Sequence, residues 1–381
     1  MRYDAIVLGL GGMGSAVAAH AAAAGLRVLG LERFHPVHAF GSSHGGSRII
    51  RQAYFESPDY VPLLRRAYEL WAALEKRTGM ELVLRTGGLF AGLPDAEIVA
   101  GTIASAKLYG LAHEILDADA IRARWPLLHP RPGEIGVFEA IAGIVFPERA
   151  VGAHVQVAQA EGAKLRFVTA VAGWEAEPDG IAVTLTGGEV VRARRLAICA
   201  GAWFDRLAGE TGIPTRVERN VQVYFEAADR EAVGPEHLPI YALERPELAN
   251  MIYGFPDVGE GAKAAFHHTG EIADPDAFDR SDRAADVENV RAALADWLPA
   301  VAEGSLLRTA PCMYTITPDT NFVIGPHPRN PDVILAGGFS GHGYKFAPVV
   351  GEIVAALLAG RESPWPIGLF NPDRFAKAHA S

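Results

Sequence analysis

Four short stretches of the 381-residue chain carry residue types and spacings that could do chemistry. In the first, the aliphatic run Ile6-Val7-Leu8 enters Gly9-Leu10-Gly11-Gly12-Met13-Gly14 and leaves through an alanine-rich segment. This is a G-x-G-x-x-G turn: Gly9 permits the tight bend, Gly11 lets the backbone approach a pyrophosphate, and Gly14 lets a helix lie close on the sheet. The helix start would present free N–H groups and a positive dipole end to phosphates. Arg27-Val28-Leu29-Gly30-Leu31 reads as a second strand, and Glu32 ends it at about the distance where an acid holds a ribose hydroxyl. A dinucleotide is implied, and these residues leave open which one. The second stretch is Arg48-Ile49-Ile50-Arg51. On a helix its two guanidiniums would share a face, whereas on a strand they point opposite ways. The β-branched pair favours the strand, so the two arginines are expected to do different jobs. In the third stretch, Gly261-Ala262-Lys263-Ala264-Ala265-Phe266-His267, a lysine sits in a small-residue strand, where it needs a partner. The fourth, Gly337-Gly338-Phe339-Ser340-Gly341-His342-Gly343-Tyr344-Lys345-Phe346, joins a strand at 333–336 to an apolar helix at 349–358. It can bring a second set of N–H groups and a second dipole end to the same ligand. Thirteen histidines give no Ser-His-Asp order and no metal-ligand spacing, so no metal is expected.

The elements that must position these stretches are those of an ordinary globular enzyme. Hydrophobic residues make up 49% and charged residues 21%, and the length allows two domains with a large buried core. A net charge of −10 with no local basic run argues against a nucleic-acid surface. The apolar residues 5–31 are interrupted by glycines and contain Arg27, which suits a strand-turn-helix-strand unit better than a membrane span. Met1-Arg2-Tyr3-Asp4 leads directly into the first strand, so no secretory signal is expected. Two cysteines, Cys199 and Cys312, give no disulfide framework and suit a reducing, cytoplasmic setting. Helices are expected at 60–77, 95–109, 117–125, 148–160 and 284–297, with a β-meander at 174–191 and a buried strand at 195–203. Cys199, inside that strand, reads as an inert core residue. Residues 82–146 do not continue a βαβ rhythm and are expected to open a second domain. The polar tail after Asn371 is expected to fray.

Taken in order, five of these markers resemble the monomeric sarcosine oxidases and N-methyl-amino-acid oxidases, over nearly the whole length. They are the N-terminal fingerprint, residues 41–54, Tyr253-Gly254-Phe255-Pro256, Cys312-Met313-Tyr314-Thr315, and residues 339–346. The resemblance implies an α/β fold with an α+β substrate part. A Rossmann-like FAD-binding domain (1–81, 149–212 and 311–381) would interleave with a mixed-sheet substrate domain (82–148 and 213–310). It selects FAD over a nicotinamide. The cofactor would be held by Gly9, Gly11, Gly12, Met13, Gly14, Glu32 and Arg33. Ser42, His44, Arg48, Gly201 and Trp203 would join them, with Gly338, Gly341, His342, Gly343 and Lys345 from the second glycine turn. Cys312 would form a thioether to the 8α carbon of the flavin.

The same resemblance gives Arg51 and Lys345 the substrate carboxylate, a task suited to a planar guanidinium and a point charge. Arg48 would lie near the flavin ring, and Lys263 would assist the reaction with oxygen. His267 and Tyr253 would be the active-site histidine and tyrosine, with His268 facing outward by strand alternation. The implied reaction is oxidation of a secondary, N-methyl amino acid such as sarcosine. The imine would hydrolyse to an aldehyde and a primary amino acid, and O2 would be reduced to H2O2. A monomer is expected, with no nucleic-acid or membrane partner. The rivals are a flavin dehydrogenase, an oxidase of another secondary or cyclic amino acid or of a glycated amine, and a non-catalytic FAD-binding subunit.

Overall fold

A computed structural model describes residues 2–379 of the chain, with side chains through Phe375. Among the described residues, strands gather into two eight-stranded sheets and one of three strands. In the first sheet, Tyr3–Leu8 runs parallel to Val28–Leu31 on one side and to Val190–Ile198 on the other. Lys164–Arg166 extends it beyond Val28–Leu31, and the meander Val171–Glu177, Gly180–Leu185 extends it beyond Val190–Ile198. Asn330–Gly337 also joins Val190–Ile198 in parallel.

Two helices with little polar surface cover one face of this sheet. Gly12–Ala23 and Ala347–Leu358 are rich in alanine and valine and buried nearly all round, as helices inside a core must be. Small residues set their spacing: a Cβ at Gly351 would stand 2.8 Å from the Ala16 backbone.

The second sheet runs Ser305–Ile316, Arg216–Glu226, Ala262–Phe266, Ile252–Phe255, Ile240–Leu243, Gly88–Gly92, Ile135–Glu139, Glu114–Asp117. Pro311 is tolerated within a strand because Ser305–Ile316 lies at the sheet edge, where a missing N–H costs no ladder bond. Alternate residues Val221, Val223 and Phe225, with Ala262, Ala264 and Ile252, pack beneath Ala284–Leu294 and the fully buried Trp297. Cutting such a tryptophan to alanine costs about 3–5 kcal/mol. That apolar side fixes the register, and register turns the other set of side chains to the opposite face. The small sheet, Arg48–Ile50 and Val83–Arg85 on either side of Gly143–Val145, ties the segment after the first glycine turn to the second sheet's region.

The helices found, Val61–Thr78, Glu97–Tyr109, Ala118–Arg124, Pro147–Ala160 and Ala284–Leu294, lie where the periodicity places them, with shifted ends. The tail differs from expectation. Pro372–His379 is a 3-10 helix that buries Phe375 against the core holding Val333 and Leu335. Residues 380 and 381, also in the tail expected to fray, lie outside the described residues, as does Met1. No described helix is long and apolar enough to cross a membrane.

Candidate active site

A cavity of about 500 Å³ opens at the carboxyl ends of the first sheet's parallel strands, where ligands of open α/β sheets bind. Of the residues expected at the cofactor, Gly9, Gly11, Gly12, Met13, Glu32, Arg33, Ser42, Arg48, Gly201, Trp203, Gly338, Gly341 and Gly343 line it. Gly14, His44, Cys312, His342 and Lys345 do not. Gly14 packs instead into the turn, where any Cβ would overlap the Gly9 carbonyl. The two glycine turns meet at the cavity wall: a Cβ at Gly12 would stand 2.7 Å from the Tyr344 ring. Glu32 is nearly buried, and its Oε2 accepts from Leu10 N at 2.8 Å while Oε1 accepts from Phe34 N at 3.0 Å. Burial pushes its carboxyl up, but the bonds from His38, Leu10 and Phe34 outweigh that and hold it below its ordinary value. Ser43 Oγ accepts from Gly12 N at 2.9 Å, so the polar loop closes over the helix start. At the mouth, Arg33 and Trp203 both donate to Asp276 Oδ1 at 2.8 Å.

Several chemistry-bearing residues share one face of the second sheet, and strand register puts them there. Cys312 pairs with Asn220 and Tyr314 with Glu218 across the edge strands. Lys263 stands opposite Tyr224 on one side and Phe255 on the other, and Ala265 stands opposite Tyr253. Directly opposed residues project to the same face. Cys312, Tyr314, Glu218, Asn220, Gln222, Tyr224, Lys263, Phe255 and Tyr253 therefore look one way, while the valines and alanines between them look into the core.

Contacts join all six residues expected to be catalytic. Arg48 Nη2 donates to Ser42 O at 2.9 Å and lies 3.8 Å from Cys312 Sγ. Burial pushes the Cys312 thiol up, with Arg48 and Lys263 opposing that. The strand ends at Ile50, so alternation does not reach Arg51, but its side chain does turn to different partners from those of Arg48. It donates to Ala53 O at 2.7 Å and Glu56 Oε2 at 2.5 Å, and its guanidinium lies 4.1 Å from the centre of the Tyr54 ring. Tyr54 is the hub of the next step. Its hydroxyl lies 2.6 Å from His342 Nδ1, and Lys345 Nζ donates to it at 3.4 Å and to His342 O at 2.7 Å. Because His342 Nε2 sits 3.0 Å from the Thr320 carbonyl, which can only accept, Nε2 carries the proton and Nδ1 accepts from Tyr54. Burial, then Arg51, brings Lys345 down to about 7.

The His342 ring is 6.5 Å from that of His267, which lies 6.4 Å from Tyr253 and 6.0 Å from Tyr314. The Tyr253 and Tyr314 hydroxyls are 3.3 Å apart. Burial, then His268, lowers His267 well below the ordinary histidine range, so its imidazole is neutral. His268 is a correction. The strand ends at Phe266, so alternation does not carry to residue 268. Its ring packs 4.3 Å from that of His267 and edge-on to Tyr314, and its Nδ1 lies 3.4 Å from Glu218 Oε1. Sequence reasoning also missed Tyr54, Glu56, Gln222 and Ser43, ordinary polar residues without a motif of their own.

The residues fit a flavin dinucleotide. A glycine wall, an acid and a helix start line the cavity, and the cavity reaches Arg48, Met313 and Tyr314 beside the second sheet. A buried polar atom on the second sheet's polar face, Asn220 Oδ1, has no partner among the described residues, as a ligand-facing group would. No group of three or more His, Cys, Asp or Glu among the described residues could hold a metal ion.

Comparison with known proteins agrees with this geometry. A family model described as FAD dependent oxidoreductase matches residues 4–357. The chain is 47% identical to a monomeric sarcosine oxidase of Streptomyces avermitilis, over 99% of both chains. It is 33% identical to an N-methyl-L-tryptophan oxidase of Escherichia coli K12, over 98% of this chain and 100% of that one. Among solved structures, NikD, an amino acid oxidase essential for nikkomycin biosynthesis, superposes with a TM-score of 0.86 at 25% identity, covering 97% of each chain. An L-proline dehydrogenase from P. horikoshii gives 0.86 at 25%, covering 99% and 98%. The chain belongs to the FAD-dependent oxidoreductases and, within them, to the family of the monomeric sarcosine oxidases and N-methyl-amino-acid oxidases.

Proposed function

We propose that this protein is an FAD-dependent oxidase of small N-methyl or other secondary α-amino acids, sarcosine among them. The observation that carries the reading is the set of neighbouring groups that runs from a carboxylate-binding pair, Arg51 and Lys345, through His267 and Tyr253. From there it crosses the Phe255 ring to Lys263 and passes by Gln222 to Arg48 and Cys312. FAD, when bound, supplies a two-electron acceptor for the substrate's C–H hydride and passes the pair to dioxygen as hydrogen peroxide.

The chain's own groups divide the remaining work. Arg51 has spent two of its five N–H donors on Ala53 and Glu56, which leaves three for a substrate carboxylate. Lys345 adds a point charge, held in place by Tyr54 and His342. His267 is neutral and the cations Arg51 and Lys345 lie nearby, so the site favours the amine's unprotonated form, the one able to lose a hydride. The Tyr253–Tyr314 hydroxyl pair bounds that space. Lys263 supplies a fixed positive charge where negative charge grows on dioxygen, the arrangement that lowers such a barrier most. Arg48 beside Cys312 Sγ favours the thiolate needed for a thioether to the cofactor. Water then hydrolyses the imine to an aldehyde and a primary amino acid. We divide the chain at the same boundaries as above, with strand Ser305–Ile316 passing between the two regions. We place the protein in the cytoplasm as a monomer, in keeping with two buried free cysteines.

The test is peroxide and aldehyde formation by the purified protein with sarcosine and with larger N-methyl amino acids. Equal amounts of both products are expected. Reduction of an artificial dye without peroxide would instead identify a dehydrogenase.

A further inference from the structure

Lys263 is 2% exposed, and burial, then Arg48, drives its amine well below the ordinary lysine range. Its surroundings act the other way. Nζ donates to Gly45 O at 2.9 Å, to Ser47 O at 2.8 Å and to Gln222 Oε1 at 3.1 Å. An ammonium has three N–H donors, whereas a neutral amine has two and a lone pair. Three oxygen acceptors are therefore satisfied only by the charged form. A neutral amine would turn its lone pair on one of them. Two of the acceptors are backbone carbonyls of the glycine loop. The third is a side chain, and it is the part of this cage that a substitution can remove.

Gln222 is fixed from several sides. It lies on the polar face two residues from Asn220 and from Tyr224, the residue opposite Lys263. Its Oε1 is also 3.5 Å from Arg48 Nη1 and 3.5 Å from the Tyr224 hydroxyl. Tyr224 in turn donates to Gly45 O at 2.7 Å, tying the loop carbonyl to the sheet. Gly45 has φ +89°, and a Cβ there would stand 2.5 Å from Gln222 Oε1. The glycine thus makes room for the amide as well as the turn. One amide oxygen stands between two cations, the half-buried arginine beside Cys312 and the buried lysine assigned to the oxygen step.

We propose that Gln222 is a positioning residue for dioxygen reduction, holding Lys263 as a fixed, charged ammonium by completing its three-oxygen cage. The inference rests on the oxidase reading and on the role given there to Lys263. Reduction of O2 to H2O2 takes two electrons from the reduced cofactor and two protons, and Gln222 supplies neither. Its contribution is the place and charge of the cation that meets the developing anion. An amide carbonyl does this without cancelling the charge, which a carboxylate at the same position would do.

The test is Gln222→Met, which keeps the side chain's length and removes the acceptor. Cofactor reduction by substrate without oxygen, and reoxidation by O2, are followed separately by rapid mixing. Reoxidation is expected to slow by about tenfold, with reduction changed by less than about twofold. In a Lys263→Met background, Gln222→Met should slow reoxidation no further. A readout without turnover is the crystal structure of cofactor-free Gln222→Met, where Nζ is expected to leave at least one of the two loop carbonyls. Equal slowing of both half-reactions, unchanged reoxidation, or additivity with Lys263→Met would overturn the proposal. If wild-type protein makes no peroxide, or Lys263→Met leaves reoxidation unchanged, the oxidase reading itself has failed. That outcome is visible without the Gln222 variant.

Discussion

In the cavity of the first sheet the wall is backbone: Gly9, Gly11, Gly12, Gly338 and Gly341 line it, and a Cβ at Gly12 would run into Tyr344. On the second sheet the working face is side chain, nine residues from four strands turned the same way by register. The first surface works by atoms that are absent and by N–H groups every residue possesses. The second works by particular functional groups that few other residue types could replace. The two therefore fail differently when changed. Damage to the glycine wall should remove the folded, cofactor-competent protein, and damage to the face should leave the fold and take away a step.

The largest expected effect is on the glycine turn that carries the wall, where Gly14 packs behind Gly9. Gly14→Val pushes a branched side chain into the Gly9 carbonyl and against Cys199, with backbone on one side that cannot give way. Loss of about 4 kcal/mol or more is expected, most of the stability of a marginal domain, read as loss of soluble protein and a large fall in its melting temperature. A soluble, yellow, stable Gly14→Val protein would break the comparison.

Beside the face, on the turn at residues 344–346, Lys345→Met removes a charged partner of the substrate carboxylate. It should weaken binding of a simple carboxylate lacking an amine by about 10- to 100-fold, read from the change in flavin absorbance, while the melting temperature shifts little. The pH dependence sharpens the same point. Burial and Arg51 place Lys345 at about 7, so it is charged below that pH and neutral above it. Carboxylate affinity in the wild type should therefore fall as pH rises through about 7, by at most about tenfold per unit. In Lys345→Met that slope should disappear. A slope that persists would move the titration to another group.

The smallest effect on structure belongs to Cys312→Ala, which deletes one buried sulfur and leaves the register of Ser305–Ile316 intact. Acid precipitation of the wild type should leave a yellow pellet and that of Cys312→Ala a yellow supernatant. A colourless wild-type pellet would remove the tether and leave the rest of the face unchanged.

The same contrast explains which parts could be read from the residues alone. The glycine fingerprint, Glu32 and the second glycine turn are contiguous strings whose meaning is local, so sequence suffices. The small-residue stretch 261–267 reads as a strand, yet nothing local says that Cys312 faces Asn220 or that Lys263 faces Tyr224. Those pairings span tens of residues, and only the likeness to a known family gave Lys263, His267 and Cys312 their roles. Gln222 and Tyr54 stayed hidden because an amide on a strand or a phenol in a loop is ordinary until its partners arrive from elsewhere. His268 was misplaced because alternation was extended past Phe266, where the strand ends. Glu218 then draws the ring inward.

The division between a surface that holds and a surface that reacts is tested most directly in Lys263→Met, by measuring flavin content, reduction by sarcosine and reoxidation by O2 on one sample. Flavin content and reduction should stay close to wild type while reoxidation slows by about 100-fold or more. Reduction and reoxidation falling together, or reoxidation at the wild-type rate, would contradict the account.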